Sequence, residues 1–168
     1  MMRAVVLFCV AVLSVKGQTT PVSQCTANPA PLPINTYIEG CIETPCILPQ
    51  GQDAVINIIF RAPRVIRRME TLAAAFLPPL INNQPYPLGE NAVTCNFLEN
   101  TYCPIVKGEV IKYTLKMHIE MIFPRIPVTI EFRIVDENQE SVLCIRVPIR
   151  VVGPVNTLAS NNATLTDV

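Results

Sequence analysis

From residue 109 to 123 the odd positions read Ile111, Tyr113, Leu115, Met117, Ile119, Met121 and Phe123, while the even ones include Lys112, Thr114, Lys116, His118 and Glu120. Side chains of a β-strand point alternately to opposite faces, so this period of two predicts one long strand with a buried face and a wet face. Pro124 ends it. After Pro127 the pattern resumes with Val128, Ile130, Phe132 and Ile134 inward against Thr129, Glu131 and Arg133, up to a turn at Asp136, Glu137, Asn138 and Gln139. A last strand sets Leu143, Ile145, Val147, Ile149 and Val151 opposite Arg146 and Arg150.

The first half is broken by proline but keeps the β character. Ala54, Ile56, Ile58 and Phe60 alternate with Val55, Asn57, Ile59 and Arg61, which predicts a fourth strand. Residues 34–40 and 42–48 predict two short, edge-like strands. Residues 69–77 are ambiguous: Ala73, Ala74 and Ala75 suit a helix, yet the segment is short and stops at Pro78 and Pro79, so a strand is favoured. About seven short strands separated by turn signals point to an all-β fold, an immunoglobulin-like β-sandwich of antiparallel strands in two sheets. A true immunoglobulin domain is not implied, because the chain has no Trp to pack beside an inter-sheet disulfide.

The two ends read differently from the middle. Met1, Met2 and Arg3 supply a basic start, residues 4–15 are almost wholly apolar, and Val15, Lys16 and Gly17 resemble a cleavage region, so residues 1–17 are expected to be a secretory signal peptide. A membrane anchor is the rival reading, but a span needs about 20 apolar residues and this run is shorter. Residues 18–153 form the expected domain, and residues 154–168 a polar tail. Loss of Arg3 and Lys16 leaves 11 of the 13 basic residues against 13 acidic ones, a net charge of about minus two, which excludes nucleic acid as an expected partner. The local exception is Arg61, Arg64, Arg67 and Arg68. A solvated face is the favoured reading of that cluster, and an anionic docking patch the other.

Six of the seven cysteines remain once Cys9 leaves with the signal: Cys25, Cys41, Cys46, Cys95, Cys103 and Cys144. An even number in a secreted chain implies three bridges, although six cysteines allow about fifteen pairings. Proximity suggests Cys41 with Cys46 and Cys95 with Cys103, leaving Cys25 and Cys144 to tie the chain ends together. Zinc is the competing use, but the close Cys/His pairs it needs are missing and His118 is the single histidine. No metal and no cofactor are expected.

Four proline-anchored segments lie in order within that cysteine frame. They are Gly40-Cys41-Ile42-Glu43-Thr44-Pro45-Cys46-Ile47-Leu48-Pro49-Gln50-Gly51, Cys103-Pro104-Ile105-Val106-Lys107-Gly108, Phe123-Pro124-Arg125-Ile126-Pro127-Val128 and Cys144-Ile145-Arg146-Val147-Pro148-Ile149. Together they resemble the lipid-recognition (ML) domain family, and within it the secreted Niemann-Pick type C2 branch, as an arthropod member would. The resemblance spans residues 25–152. It implies a seven-stranded, two-sheet sandwich with bridges Cys25–Cys144, Cys41–Cys46 and Cys95–Cys103, and a sterol, fatty acid or other lipid held between the sheets.

Carried over residue by residue, the resemblance puts the pocket aromatic on Tyr86 of Pro85-Tyr86-Pro87, the mid-strand apolar residue on Ile119 and a second aromatic on Phe123. Ile119 and Phe123 also lie on the face that alternation marks as buried. The inward residues Ile58, Phe60, Tyr113, Met117, Met121, Ile130, Phe132, Ile145 and Val147 complete the candidate ligand-binding set. Tyr86 stands where Phe is common in the family, which suits a ligand with a carboxylate or hydroxyl head.

The expected function is therefore a secreted lipid-binding carrier, possible ligands including a semiochemical, that acts as a monomer and passes its ligand to a membrane or receptor. An innate-immune module that recognises a lipopolysaccharide-like lipid is the alternative, with residues 61–68 as its basic rim. The single Asn-x-Ser/Thr site is Asn162, in the tail, so extracellular carriage is favoured over sugar-directed lysosomal delivery. No catalytic residues are expected: no Gly-x-Ser-x-Gly occurs and His118 falls on the wet face of its strand. Alternation by itself fits a solid core as well as a pocket, since most sandwiches are packed through. An empty space of about 300 Å3 would cost on the order of 7 kcal/mol, so a resident ligand or a closing of the sheets is expected.

Overall fold

Alternation in the chain is realised as alternating burial. The computed structural model describes residues 17–155 and contains nine strands: β1 (Ser23–Gln24), β2 (Asn35–Ile38), β3 (Cys46–Pro49), β4 (Asp53–Arg61), β5 (Met69–Leu77), β6 (Ile81–Tyr86), β7 (Val110–His118), β8 (Pro127–Asp136) and β9 (Ser141–Val152). Six of them form one sheet in the order β1-β9-β8-β5-β6, with β3 also on β9, and the other three form a sheet in the order β2-β4-β7. Seven of the nine are the strands predicted from the sequence. The ambiguous alanine-rich segment is the strand β5, because its neighbours β8 and β6 supply a ladder on both sides. β1 and β6 have no apolar alternation; β6 carries Asn82, Asn83, Gln84 and Pro85 on a sheet edge.

Register sets the inward positions side by side within each sheet. In one, Ile56, Ile58 and Phe60 of β4 lie opposite Leu115, Tyr113 and Ile111 of β7. In the other, Ile130, Phe132 and Ile134 of β8 lie opposite Val147, Ile145 and Leu143 of β9. All of these are buried, and apolar faces withdrawn from water at about 25 cal/mol per Å2 are the main force closing the sandwich. The three bridges are Cys25–Cys144, Cys41–Cys46 and Cys95–Cys103.

Three expectations are corrected. The strand predicted over residues 109–123 stops at His118, opposite Asp53 at the start of β4; one further residue, Ile119, still exchanges backbone bonds with Gln52 (2.9 Å) and Gly51 (2.7 Å) before the chain turns away. After Ile119 the chain leaves the sheet and turns, with the Phe123 N–H donating to the Glu120 carbonyl at 3.1 Å. Glu131, expected on a wet face, is 7% exposed, because the segment around Cys25 covers that side and Arg146 Nε donates to its carboxylate at 2.8 Å. Antiparallel pairing has one exception among the described strands: β3 runs parallel to β9.

Residues 1–16, with Cys9, and residues 156–168, with Asn162, lie outside the described residues, so the signal peptide and the tail remain expectations. Among the described residues no helix is long and apolar enough to cross a membrane.

Candidate functional site

β5 carries small residues on its inner face where its neighbours carry large ones. Ala73 lies opposite Phe132, and Ala75 opposite Ile130. Beyond the last β7 pairing the second sheet also ends, so at that end of the sandwich the facing side chains no longer meet. A cavity of about 520 Å3 opens there. Its floor combines Ala75, Ile130, Ile149 and Val151 from the large sheet with Met117 and Ile119 from β7 and the residue after it. Its mouth is framed by Pro85-Tyr86-Pro87 on one side and Ile122, Phe123, Pro124 and Ile126 of the 119–126 loop on the other.

The mouth loop keeps its shape through one buried amide. Gln50, 3% exposed, donates from Nε2 to the carbonyls of Met121 (3.0 Å) and Phe123 (2.7 Å), while its Oε1 accepts from Arg125 Nε at 3.0 Å. The Gln50 backbone N–H donates to the Val152 carbonyl at 3.0 Å, which joins the loop to the end of β9. Tyr86 and Phe123 meet edge to face across the opening, with ring centroids 5.6 Å apart. The Tyr86 hydroxyl donates to the His118 carbonyl at 3.1 Å. Burial, then the negative charges of Glu120 and Asp53, hold its pKa above the ordinary phenol value.

Five of the twelve candidate ligand-binding residues line this cavity: Tyr86, Met117, Ile119, Phe123 and Ile130. Ile58, Phe60, Tyr113, Phe132, Ile145 and Val147 do not; they are buried in the core, at most 2% exposed. Tyr113 turns its hydroxyl to Thr71 Oγ1 at 2.8 Å, and Thr71 in turn meets Thr94 at 2.8 Å. Met121, 56% exposed, points away because the loop turn breaks the alternation, and Ile122 takes its place on the cavity wall. Val128, Ile149 and Val151 line the cavity and were legible as inward positions, though not as pocket. Ala75, Ile81 and Ile126 gave no sequence signal.

Chemistry elsewhere is of another kind. Two larger surface depressions, of about 610 and 650 Å3, carry charged walls, with Glu70, Glu131 and Arg133 in one and Arg67, Arg68 and Glu137 in the other. Cys25, Cys144 and Glu131 come within metal-ligand spacing, but both sulfurs belong to one bridge and offer no thiolate. His118 sits on the outer face, its Nδ1 2.7 Å from Asp53 Oδ1. The arginines of residues 61–68 are at the far end of the sandwich: Arg61 pairs with Val110, seven residues of strand from the Ala54–Met117 pair, or about 23 Å. Arg64 is taken up by Asp136 (Nη2 to Oδ2 2.6 Å), and the Arg67 and Arg68 N–H groups donate to Glu137 Oε2. That cluster does not rim the cavity.

The family model of the ML domain matches residues 19–151. A Danio rerio protein named NPC intracellular cholesterol transporter 2 is 23% identical over 120 residues, which is 71% of this chain and 77% of that protein. The Drosophila melanogaster NPC intracellular cholesterol transporter 2 homolog a is 22% identical over 153 residues, 90% of this chain and 99% of the homolog. Among solved structures, a Niemann-Pick type C2 protein from Japanese carpenter ant shares the fold with a TM-score of 0.67 at 19% identity, over 79% of this chain and 99% of that one. Its two bridged sheets, and a match that runs from before β1 into β9, make this chain a member of the ML-domain family.

Proposed function

We propose that this protein is a secreted carrier, not an enzyme, which holds a hydrophobic small molecule of sterol or lipid type in the cavity between its sheets and hands it on. The observation that carries this reading is the cavity itself: about 520 Å3, walled by apolar side chains from both sheets and open at one end. A volume of that size suits a ligand of some tens of atoms, and burial of its apolar surface contributes about 25 cal/mol per Å2 without demanding one shape. Relatives named as cholesterol transporters support the ligand class. Three cystines suit an oxidising compartment, in keeping with export and extracellular carriage. Leu80 and Ile122, 82% and 88% exposed beside the mouth, form an apolar fringe suited to unloading at a membrane or receptor. A pheromone-like cargo falls within the same ligand class.

Organic extraction of the purified protein followed by mass spectrometry tests the proposal. A co-purifying lipid in near-stoichiometric amount is expected. Protein that yields none, and that takes up no sterol or fatty acid when offered it, contradicts the carrier reading.

A further inference from the structure

One hydrogen bond aligns the two sheets along the sandwich. Thr71 Oγ1 of β5 lies 2.8 Å from Tyr113 Oη of β7, which brings these two inward positions to the same level. Both strands run toward the open end, and inward positions recur at every second residue, so Ala73 and Leu115 share the next level and Ala75 and Met117 the one after. Register extends each level sideways. Ala75 is beside Ile130, and Met117 beside Ala54. One level deeper, Phe132 has Ala73 on one side and Ile145 on the other, and Leu115 is beside Ile56.

The cavity occupies the outer of these two levels and stops at the inner one. Ala75, Met117 and Ile130 line it, whereas Ile56, Leu115, Phe132 and Ile145 do not and are at most 2% exposed. Ala73, like Ala75, is too small to fill its side of the sandwich, and at the inner level the neighbouring side chain from β8 is an aromatic ring rather than Ile. Pro85, Tyr86 and Pro87 stand between the cavity and the depression that carries Glu70, Glu131 and Arg133, whose charged walls do not suit a hydrocarbon tail.

We infer that Phe132 is a specificity-determining residue: its ring is the end stop of the cavity and fixes how much of a ligand's apolar tail is buried. The inference rests on the carrier reading and adds a length limit to it. From Ile130 beside the stop back to Ile126 at the mouth, extended chain covers about 13 Å, which is the depth open to a tail. Each methylene buried within that depth strengthens binding about fourfold, and one left protruding into water adds little.

The test is a homologous series from octan-1-ol to octadecan-1-ol, in which the head group is constant and cancels. Each alcohol displaces the neutral fluorescent probe N-phenyl-1-naphthylamine from the delipidated protein. Affinity is expected to climb with chain length and then level off within the series, near dodecan-1-ol. Phe132→Ala should move that break to a chain longer by about two carbons or more, and Phe132→Leu by a smaller step in the same direction. Ile130→Phe, which sets a ring one level nearer the mouth, should move it to a shorter chain, so the two gentler variants decide the matter if Phe132→Ala does not fold. A wild type whose affinity climbs through octadecan-1-ol, or a break that stays in place in every folded variant, overturns the inference while leaving a carrier. Absence of any probe uptake by the folded wild type overturns the carrier reading, and this inference with it.

Discussion

Asp136 closes the turn between β8 and β9 and is also the anchor of the basic segment. Its side chain is 2% exposed, accepts the backbone N–H groups of Asn138 and Glu140 at 2.9 and 3.0 Å through Oδ1, and meets Arg64 through Oδ2. Burial opposes its ionisation, but the Arg64 hydrogen bond, the two backbone donors and the Arg64 charge outweigh that penalty and lower its pKa below the ordinary 3.8. A carboxyl that binds its proton less readily when folded than when unfolded adds stability above pH 3.8, and that addition fades as pH falls through the lowered native value. Asp136→Asn should therefore cost about 2 kcal/mol near neutrality. The gap between variant and wild type should shrink below pH 4 in urea melts recorded across the acid range. Alternation placed Asp136 in a turn and the arginines on a surface; it could not pair them, since residues 64 and 136 meet only through the β5–β8 register.

At the scale of elements, the 119–126 loop decides where the cavity ends. Ile119, Met121 and Phe123 continue the β7 alternation in the sequence, which is why a strand was expected there. The loop forms instead because pairing with the chain before β4 ends at Ile119 and the carbonyls of Met121 and Phe123 are taken by the Gln50 amide. Gln50 is a residue no pattern singles out, since a buried amide looks like any other polar residue until its partners are in view. Gln50→Leu keeps the volume but leaves two carbonyls and the Arg125 donor without partners, so the mouth should loosen. Stopped-flow release of a bound fluorescent sterol is expected to quicken about tenfold or more, with a smaller change in melting temperature. An unchanged release rate would show that the loop holds its shape without this amide. The neighbouring strands were legible to within a residue or two where apolar and polar positions alternate, as in β4, β8 and β9. β6 was not, because an edge strand exposed on both faces needs no alternation.

At the scale of the whole molecule, the sandwich is solid over much of its length and open at one end. Ile58, Phe132 and Val147 follow the same alternation as Met117, Ile130 and Ile149, yet only the latter three line the cavity. No periodicity distinguishes a side chain that meets its opposite number from one that faces a gap, because that depends on how far apart the sheets stand and on small residues such as Ala75 across the way. Family resemblance supplied the aromatic mouth, Tyr86 and Phe123, and Ile119 of the floor; alternation supplied Met117 and Ile130 as inward residues, and the structure added Ala75, Ile149 and Val151 as cavity wall. The Cys25–Cys144 bridge, which ties β1 to β9 within the larger sheet and closes 119 residues of chain, adds stability to the shell around this gap by restricting the unfolded chain.

The most direct test of a ligand cavity between the sheets is titration of delipidated protein with the fluorescent sterol dehydroergosterol, in the wild type and in Ala75→Phe, which pushes a ring into the gap. The account predicts saturable binding near one sterol per chain, weakened tenfold or more in Ala75→Phe while the variant melts no lower than wild type, since the added ring fills space that costs about 24 cal/mol per Å3 when empty. Sterol binding undiminished by the ring, or absent from a wild type that is folded and stripped of lipid, would contradict it.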